Sequence, residues 1–464
     1  MKFLFIYPAS GKWELAYKKA LPVGANLPPL GILYLSKMLE MNGYNVEVLD
    51  FNAEYMTQDK IKEKILSSDV IGMTVYSEPI SLKNSIMLSN FIKKCDPDVP
   101  VLIGGPHCSM EPEKTMIAHN ADILVEGEGE LVINPIADAI QGKGNLSTIP
   151  GVYYRENDKI IKGPQYKQID NLDAIPFPSR HLVEKYEYGY FFGVKVAKGK
   201  TTSILTSRGC PLHCRFCGLR SIIPGYQSRS FDNITKEIEE IVNAGYKTLS
   251  FVDDNFTLNK RNVEKIMDFI IKNKIDINIW IEGARIDSAD RGLYKKMRDA
   301  GVEIIHYGIE SGNQDVLDYY DKKITISQIK KAVSLCKEMG FYVNASFILG
   351  APIETKKHIE NTIKFAKSIP LDSAVFYNFS YVINSPIWDE AVKEGKIKPE
   401  EYCVNADSNR GLGNFTEQEL IDYTMKAYKS YYFDPHLIFR EILFALTKRD
   451  FRFLKIGLRM IYSS

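Results

Sequence analysis

Short apolar runs alternate with amphipathic stretches from the first residues of the chain. The runs cover residues 2–8, 46–50, 70–77, 101–107 and 123–127; between them lie 30–42, 58–66, 81–94 and 113–119, and 131–140 follows the last. Apolar runs of this length read as strands, and stretches with one apolar face read as helices. Their alternation predicts an α/β domain over residues 1–145, a flavodoxin-like, doubly wound parallel sheet with helices on both faces. Ligands of such sheets bind outside the carboxyl ends of the strands, where the strand order reverses.

A second series begins at Thr201. Strand-like runs at 203–207, 248–252, 278–282, 304–309, 342–349 and 374–382 are separated by amphipathic stretches at 235–244, 260–273, 291–300, 326–339 and 357–369. Gly245, Gly301 and Gly340 stand where the left-handed residue just past a helix is expected. These units predict a partial (β/α)6 barrel over residues 201–400, with its working face at the carboxyl ends of the strands. Residues 146–200 read as a linker: 152–161 has the pattern of a small hairpin around a charged turn, and 175–178 is proline-punctuated and extended. Residues 401–464 read as a helical C-terminal region. Within it 402–412 is a polar loop and 415–433 a tyrosine-rich helix. From His436 the pattern is apolar and basic, with Arg440, Lys448, Arg449, Arg452, Lys455 and Arg459 against Glu441 and Asp450. A basic amphipathic stretch can lie on a membrane surface, but such a stripe more often packs on its own protein, and packing is the expectation here.

Composition changes this picture little. A chain of 464 residues should hold two to three domains. Its 45% hydrophobic and 25% charged residues are those of an ordinary globular protein. Lys and Arg number 59 against 58 Asp and Glu, so no global charge points to nucleic acid or membrane. No apolar run reaches the roughly 18 residues of a spanning helix, and the apolar start is too short for a signal peptide. Seven cysteines, three of them in one loop, do not read as a disulfide framework. Cys95, Cys108, Cys336 and Cys403 read as buried inert thiols, and a reducing cytoplasm is the expected compartment.

The chemistry is concentrated in Gly209-Cys210-Pro211-Leu212-His213-Cys214-Arg215-Phe216-Cys217-Gly218. Three thiols at Cx3Cx2C spacing can close on one iron–sulfur cluster from a single loop, because thiolates are the usual ligands of such clusters. A four-iron cubane held by three ligands keeps one iron open, and an open coordination position is where chemistry happens at a metal. Zinc would want a fourth ligand. No second CxxC-like pair exists, and His213 sits between two of the cysteines on a tight loop.

Cys210, Cys214 and Cys217, with aromatic Phe216 ahead of the last, resemble the signature loop of the radical S-adenosylmethionine (SAM) enzymes. The resemblance implies a 4Fe-4S cluster whose open iron chelates the amino and carboxylate groups of SAM. It also implies cleavage of SAM into methionine and a 5'-deoxyadenosyl radical. Later strand ends match the family in order. Val252-Asp253-Asp254-Asn255-Phe256 stands where the family reaches SAM's amino group; Asp253 is favoured over Asp254, and Asp254-Asn255 reads equally as a turn with a helix cap. In Glu282-Gly283-Ala284-Arg285 a carboxylate suits ribose hydroxyls and a guanidinium suits a carboxylate, a structural ion pair being the alternative. Gly308-Ile309-Glu310-Ser311 is similar to the family's segment near ribose and methionine. Ser346 through Glu354 is similar to a GxIxGxxE pattern that flanks adenine, with Ser346 in place of glycine and Ile353 in a Pro-Gly slot. The resemblance thus implies metal ligation by the three cysteines, and SAM binding by Phe216, Asp253, Glu282, Arg285, Glu310, Ser311, Ser346 and Gly350.

The N-terminal sheet resembles the cobalamin-binding domain of one large radical SAM class. Pro28-Pro29-Leu30-Gly31 with Leu33-Tyr34-Leu35, Gly104-Gly105-Pro106-His107 and Gly127-Glu128-Gly129 match its recurrent segments. GxGxxG and the P-loop are absent, while paired glycines at a strand end let a backbone approach a ligand closely. The DxHxxG motif is missing: the first strand ends in Tyr7-Pro8-Ala9-Ser10-Gly11, so a cobalamin here would lack that axial histidine. His107 is the nearest candidate and reads better as a hydrogen-bonded loop residue. The resemblance implies cobalamin contacts at Leu30, Gly31, Thr74, Ser77, Gly104, Gly105, His107, Glu126 and Gly127. The alternative is a flavodoxin-like domain that has lost its cofactor.

Together these resemblances imply a cytoplasmic, cobalamin-dependent radical SAM enzyme of the class that includes methyltransferases and cyclases. The expected reaction methylates an unactivated carbon of a small-molecule or lipid substrate. One SAM would supply the methyl group through cobalamin and a second would supply the radical, with electrons from a flavodoxin or ferredoxin. Relatives of this architecture also carry out oxidative cyclisation or carbon–carbon coupling. A non-catalytic corrinoid- or cluster-binding sensor is the reading from another class. No catalytic side chain is assigned beyond the cluster.

Overall fold

The computed structural model describes residues 1–464 apart from 11–26, 158, 192, 402–403, 457–458, 460–464 and the side chain of Lys448, so Gly11, Cys403 and Lys448's side chain lie outside the described residues. The chain forms two units, Met1–Tyr188 and Gly189–Ser464.

In the first unit β1 (Lys2–Tyr7), β2 (Asn45–Asp50), β3 (Val70–Thr74), β4 (Val101–Gly104) and β5 (Ile123–Val125) run parallel in the order β2-β1-β3-β4-β5. The order reverses between β1 and β3, which is the switch point of a flavodoxin-like sheet. Phe3, Leu4, Phe5 and Ile6 are all buried because this central strand is covered on both faces. Gly72 lies opposite Phe5 in the register, and a Cβ there would run into the Phe5 ring. Helices Leu30–Met41, Gln58–Leu66, Pro79–Cys95, Pro112–Ala118 and Ile133–Ile140 fill the connections. Thr57 caps the second of them by accepting from Lys60 N, and Glu78 caps the third, with proline at its first position.

The stretch from 146 to 188, expected to be a linker, folds with this unit instead. β6 (Val152–Glu156) and β7 (Lys159–Lys162) form the expected hairpin, but β6 also pairs antiparallel with β5 and extends the sheet. Further on, Ser179 N donates to Leu33 O and Tyr188 Oη donates to Asp50. The free edge of β5 and these polar ties give the segment a fixed place, which composition alone did not disclose.

The second unit opens on a small hairpin of β8 (Tyr190–Phe191) and β9 (Val194–Lys195). Six parallel strands follow in chain order, β10 (Thr201–Ile204), β13 (Thr248–Phe251), β14 (Asn278–Ala284), β15 (Val302–Glu310), β16 (Tyr342–Leu349) and β17 (Ser373–Asn378), each joined to the next through helices on the expected segments. This is the expected partial (β/α)6 barrel. Gly245, Gly301 and Gly340 all have positive φ at helix ends. Between the first two barrel strands, β11 (Ser207–Gly209) and β12 (Tyr226–Ser228) pair antiparallel and brace the cysteine loop.

An open barrel exposes an edge at β17. The tyrosine-rich helix Glu417–Tyr432, begun by a capping box of Thr416 and Glu419, covers it. Tyr432 Oη accepts from Ala374 N at 3.3 Å and donates to Ala374 O at 3.0 Å, and Tyr428 Oη accepts from Phe376 N at 3.1 Å. Asp434 then caps the next helix, Pro435–Lys448, which sets Leu437 and Ala445 inward and packs Phe444 against Tyr342 and Phe453.

Candidate active site

The cysteine loop leaves β11 at Gly209, whose φ of 80° places it where a Cβ would strike Gly225 O. Gly209 N donates to the Asp254 carboxylate at 2.9 Å, and Arg215 N donates to Tyr320 O at 2.9 Å, so the loop is pinned at its start and its middle. Cys217 N reaches back to Cys214 O at 3.1 Å, which turns these two thiols into one bend. Asn255 Nδ2 lies 3.9 Å from Cys210 Sγ and Leu219 N lies 3.5 Å from Cys217 Sγ, both positioned to donate to a thiolate. Burial pushes the Cys214 and Cys217 thiols up; Lys322 and Arg285 pull Cys214 back, and the Leu219 N–H does the same for Cys217. His213 is engaged by the Arg220 guanidinium, which uses a ring lone pair a metal would need. Among the described residues no three His, Cys, Asp or Glu side chains converge as a single-ion site does. Three thiols on one loop, N–H groups aimed at sulfur and two cations beside them suit a multi-iron cluster better than one ion.

Phe216 sits edge-on to Tyr320, with ring centroids 5.0 Å apart, and Lys322 Nζ lies 5.7 Å from the Phe216 centroid. Lys322 also pairs with Glu310 at 2.6 Å. Glu310 has a φ of 71°, a conformation a non-glycine residue holds only when its surroundings impose it, and strain of this kind gathers at ligand sites. Sequence reasoning missed Lys322 and Asn255 as partners of the cysteine loop. The lysine follows Tyr319-Tyr320 in a loop with no motif, and only the fold brings it to the cluster.

Two of the expected SAM contacts are corrected. Asp253 is 2% exposed, and its carboxylate accepts from Thr206 N and Oγ1 and from Ser207 Oγ, so it braces β10 and β11 from within. Burial raises this carboxyl to about 6. Ser311 is wholly buried between Thr362 and Asn313. Arg285 is committed to Asp287 and to Lys322 O, so it sits in the structural ion pair named as its alternative while keeping its charge near Cys214. Ser346 is half-buried on β16. Gly350 ends that strand with a φ of 97°, and its N–H and that of Ala351 both donate to Glu354 Oε2, at 2.6 and 2.9 Å.

Glu282 stands differently. Its closest described polar neighbours are Ser250 Oγ at 3.5 Å and His306 Nδ1 at 3.8 Å, and burial raises it to about 7, yet 26% of its side chain stays accessible. From it a polar row crosses neighbouring strands: His306 to Asn344 at 3.2 Å and Asn344 to Ser373 at 2.9 Å. His306 is held below its ordinary range by burial. This row can accept and donate hydrogen bonds; beyond Glu282 the sequence hid it, because His306, Asn344 and Ser373 stand singly on three different strands.

In the first unit, Gly104, Gly105, Thr74, Ser77, Glu126 and Gly127 gather at the carboxyl ends of β3, β4 and β5. Gly105 has a φ of 107°, and a Cβ on it would meet Thr74 Oγ1 at 2.6 Å and Val75 O at 3.0 Å. Space around Gly31, at the start of helix Leu30–Met41, is open, and Leu30 beside it is half-buried. This glycine- and hydroxyl-lined end of the sheet suits a large planar ligand laid against backbone. His107 does not contribute to it: the ring is 1% exposed, its Nδ1 lies 3.3 Å from Ser77 Oγ, and burial holds it near 4, hence neutral. Glu126 is tied to Tyr153 at 3.1 Å, and a Cβ on Gly127 would enter the Tyr166 ring, so these two serve the hairpin as much as a ligand.

Comparison with known proteins agrees with both halves. The radical SAM superfamily matches residues 204–366 and the B12 binding domain matches residues 20–136. An uncharacterized methyltransferase of Pyrococcus horikoshii is 31% identical over 453 residues, covering 95% of each chain. An anaerobic magnesium-protoporphyrin IX monomethyl ester cyclase of Rubrivivax gelatinosus is 29% identical over 81% of this chain and 67% of its own. Among solved structures, the radical SAM methyltransferase TsrM of Kitasatospora setae, with tryptophan substrate and a SAM analogue bound, superposes with a TM-score of 0.69 at 17% identity, over 94% of this chain and 90% of its own.

Proposed function

This chain belongs to the radical SAM superfamily, in the group with an N-terminal B12-binding domain, and from that membership we propose that it methylates an unactivated carbon of a small-molecule or lipid substrate. The observation that carries the reading is the three-thiol loop at the carboxyl face of the partial barrel, in a chain whose other unit presents a glycine-lined sheet end. Bound there, a 4Fe-4S cluster with SAM and a cobalamin supply a carbon-centred radical and a methyl carrier. The end-to-end relative named a methyltransferase favours methyl transfer over the ring closure of the cyclase relative.

The protein's own work is to bind, orient and exclude water. Cys210, Cys214 and Cys217 hold the cluster; Asn255 and the Leu219 N–H aim at sulfur, while Lys322 and Arg285 offset its negative charge. Glu282, Glu310, Ser346 and Gly350 are the groups we assign to SAM, with Phe216 walling the loop. Glu282 keeps an accessible carboxylate suited to ribose hydroxyls. Leu30, Gly31, Thr74, Ser77, Gly104 and Gly105 are assigned to cobalamin. The enzyme would work in the cytoplasm with a flavodoxin- or ferredoxin-type donor, and no described helix is long and apolar enough to cross a membrane.

Anaerobic reconstitution with iron and sulfide, then SAM and dithionite, should release 5'-deoxyadenosine. Cys214→Ala should lose both the cluster absorbance and the product. A reconstituted wild-type protein that makes none would sink the radical reading and leave the sensor. With substrate present, a product heavier by one methylene supports methylation, whereas a product lighter by two hydrogens would indicate cyclisation.

A further inference from the structure

The helix Pro435–Lys448 and the turn after it carry two apolar faces, and the fold uses one. Leu437, Ala445, Phe453 and Ile456 are buried, with Phe444 packed among the aromatics of that cluster. One face of the tail thus packs on its own protein as expected, and the other face is left uncovered. On the opposite side Phe439 is 68% exposed, Leu446 59%, Leu443 52% and Phe451 51%, with Ile442 beside them. Positions 439, 442, 443 and 446 recur at the spacing of one helical stripe, so these side chains share a face. The left-handed conformation of Arg449, φ 51°, ends the helix, and Phe451 lies just beyond that turn. Clustered large apolar side chains of this kind on a surface mark a contact site.

Charge selects what fits. Residues 433–459 hold six cations and only three acids, Asp434, Glu441 and Asp450. Each acid is spent: Asp434 caps the helix and pairs with Lys367, Glu441 is buried, and Asp450 pairs with Arg452. Among the cations Arg440 is bonded to Leu371 O and Arg452 to Glu303 and Asp450, while Arg449 and Lys455 stay exposed on either side of Phe451, so the exposed charge next to that end of the stripe is positive. A second copy docking through the same patch would set cations against cations, because a two-fold contact is self-complementary. An apolar stripe bordered by cations instead matches a bilayer with anionic headgroups, in which the helix lies in the interface plane. We propose that the exposed face of this helix seats the protein on an anionic phospholipid surface, as a monotopic contact independent of the reaction the barrel carries out.

The test is flotation of the full chain with vesicles of phosphatidylglycerol and phosphatidylcholine, or of phosphatidylcholine alone, at low and high salt. Wild type should float with the anionic vesicles, release as salt rises, and stay with the bulk phase when the vesicles are neutral. A Phe439→Ser, Leu443→Ser double variant should lower partitioning at least about tenfold, and Arg449→Glu with Lys455→Glu should remove the preference for anionic lipid. All four positions are exposed, so the melting temperatures should stay at the wild-type value. Failure of wild type to float, or serine variants that float as well as wild type, overturns the proposal. A dimer in sedimentation that Phe439→Ser dissolves also overturns it, in favour of self-association.

Discussion

A single buried carboxylate governs the turn that ends β16. Glu354 is wholly buried and holds the N–H groups of Gly350 and Ala351 on one oxygen, while its other oxygen has no hydrogen-bond partner. Burial raises it from the ordinary 4.5 to about 7, against the pull of those two N–H groups. An acid whose native pKa is raised keeps its proton longer in the native state than in the unfolded chain. Its contribution to stability therefore falls as pH rises from about 4.5 to about 7. Glu354→Gln keeps an acceptor for both N–H groups and removes the titration. The variant should gain on wild type between pH 4.5 and 8 by at most about 3 kcal/mol, read from thermal or urea unfolding of cofactor-free protein. A constant difference across that range would refute the assignment. At this scale the cysteine loop was legible because its ligands lie within eight residues and spacing alone carries the chemistry. Asp253 and Ser311, and the cobalamin contact that the resemblance put at His107 against its own reading as a hydrogen-bonded loop residue, fail for the converse reason. At a strand end, whether a polar side chain faces a ligand or the interior depends on one residue of register and on neighbours such as Thr206, Thr362 and Ser77, which lie far off in sequence.

Among the elements, the helix Glu417–Tyr432 supplies hydroxyls where a seventh strand would have supplied backbone. An uncovered strand edge invites pairing with another chain, and closure by side chains prevents it. Tyr432→Phe removes both bonds to Ala374 and leaves that edge N–H and carbonyl unpaired in a buried setting, which should cost about 1–3 kcal/mol in urea unfolding. Tyr423→Phe, on the same helix and stacked edge-on to Phe415, makes no bond to β17 and should cost less than about 0.5 kcal/mol. Equal costs for the two would mean that the ring, and not the hydroxyl, holds the helix. Periodicity read the long parallel strands and the helices between them to within a few residues, because their apolar spacing is set by the elements themselves, but not the short pairs at 190–195 and 207–228 or the helices Gln314–Tyr319 and Pro386–Lys393. It could not reveal that a tyrosine-rich helix closes the barrel edge, or that β6 extends the first sheet, since both are long-range hydrogen-bonding decisions that leave no period in the sequence.

For the whole molecule, the division at Tyr188 matters more than the expected one near residue 145. Each unit has its own sheet and its own buried core, centred on Phe3, Phe5 and Leu33 in the first and on the barrel strands in the second. Units with separate cores unfold as separate cooperative transitions unless something couples them. A ligand that binds only the native form of one unit raises that unit's transition alone. Calorimetry of the full chain should therefore resolve two transitions. Hydroxocobalamin at about a hundred times its dissociation constant should raise one of them by about 2.7 kcal/mol, or roughly 5–10 °C, and leave the other in place. Gly105→Val would force a branched side chain against Thr74 and Val75 in a backbone conformation suited to glycine. It should lower the transition of the first unit and abolish its response to cobalamin, while the second transition stays where it was. A single transition in wild type, or two that rise together with cobalamin, would show that the two units are coupled in folding, and the two-unit account would have to be abandoned.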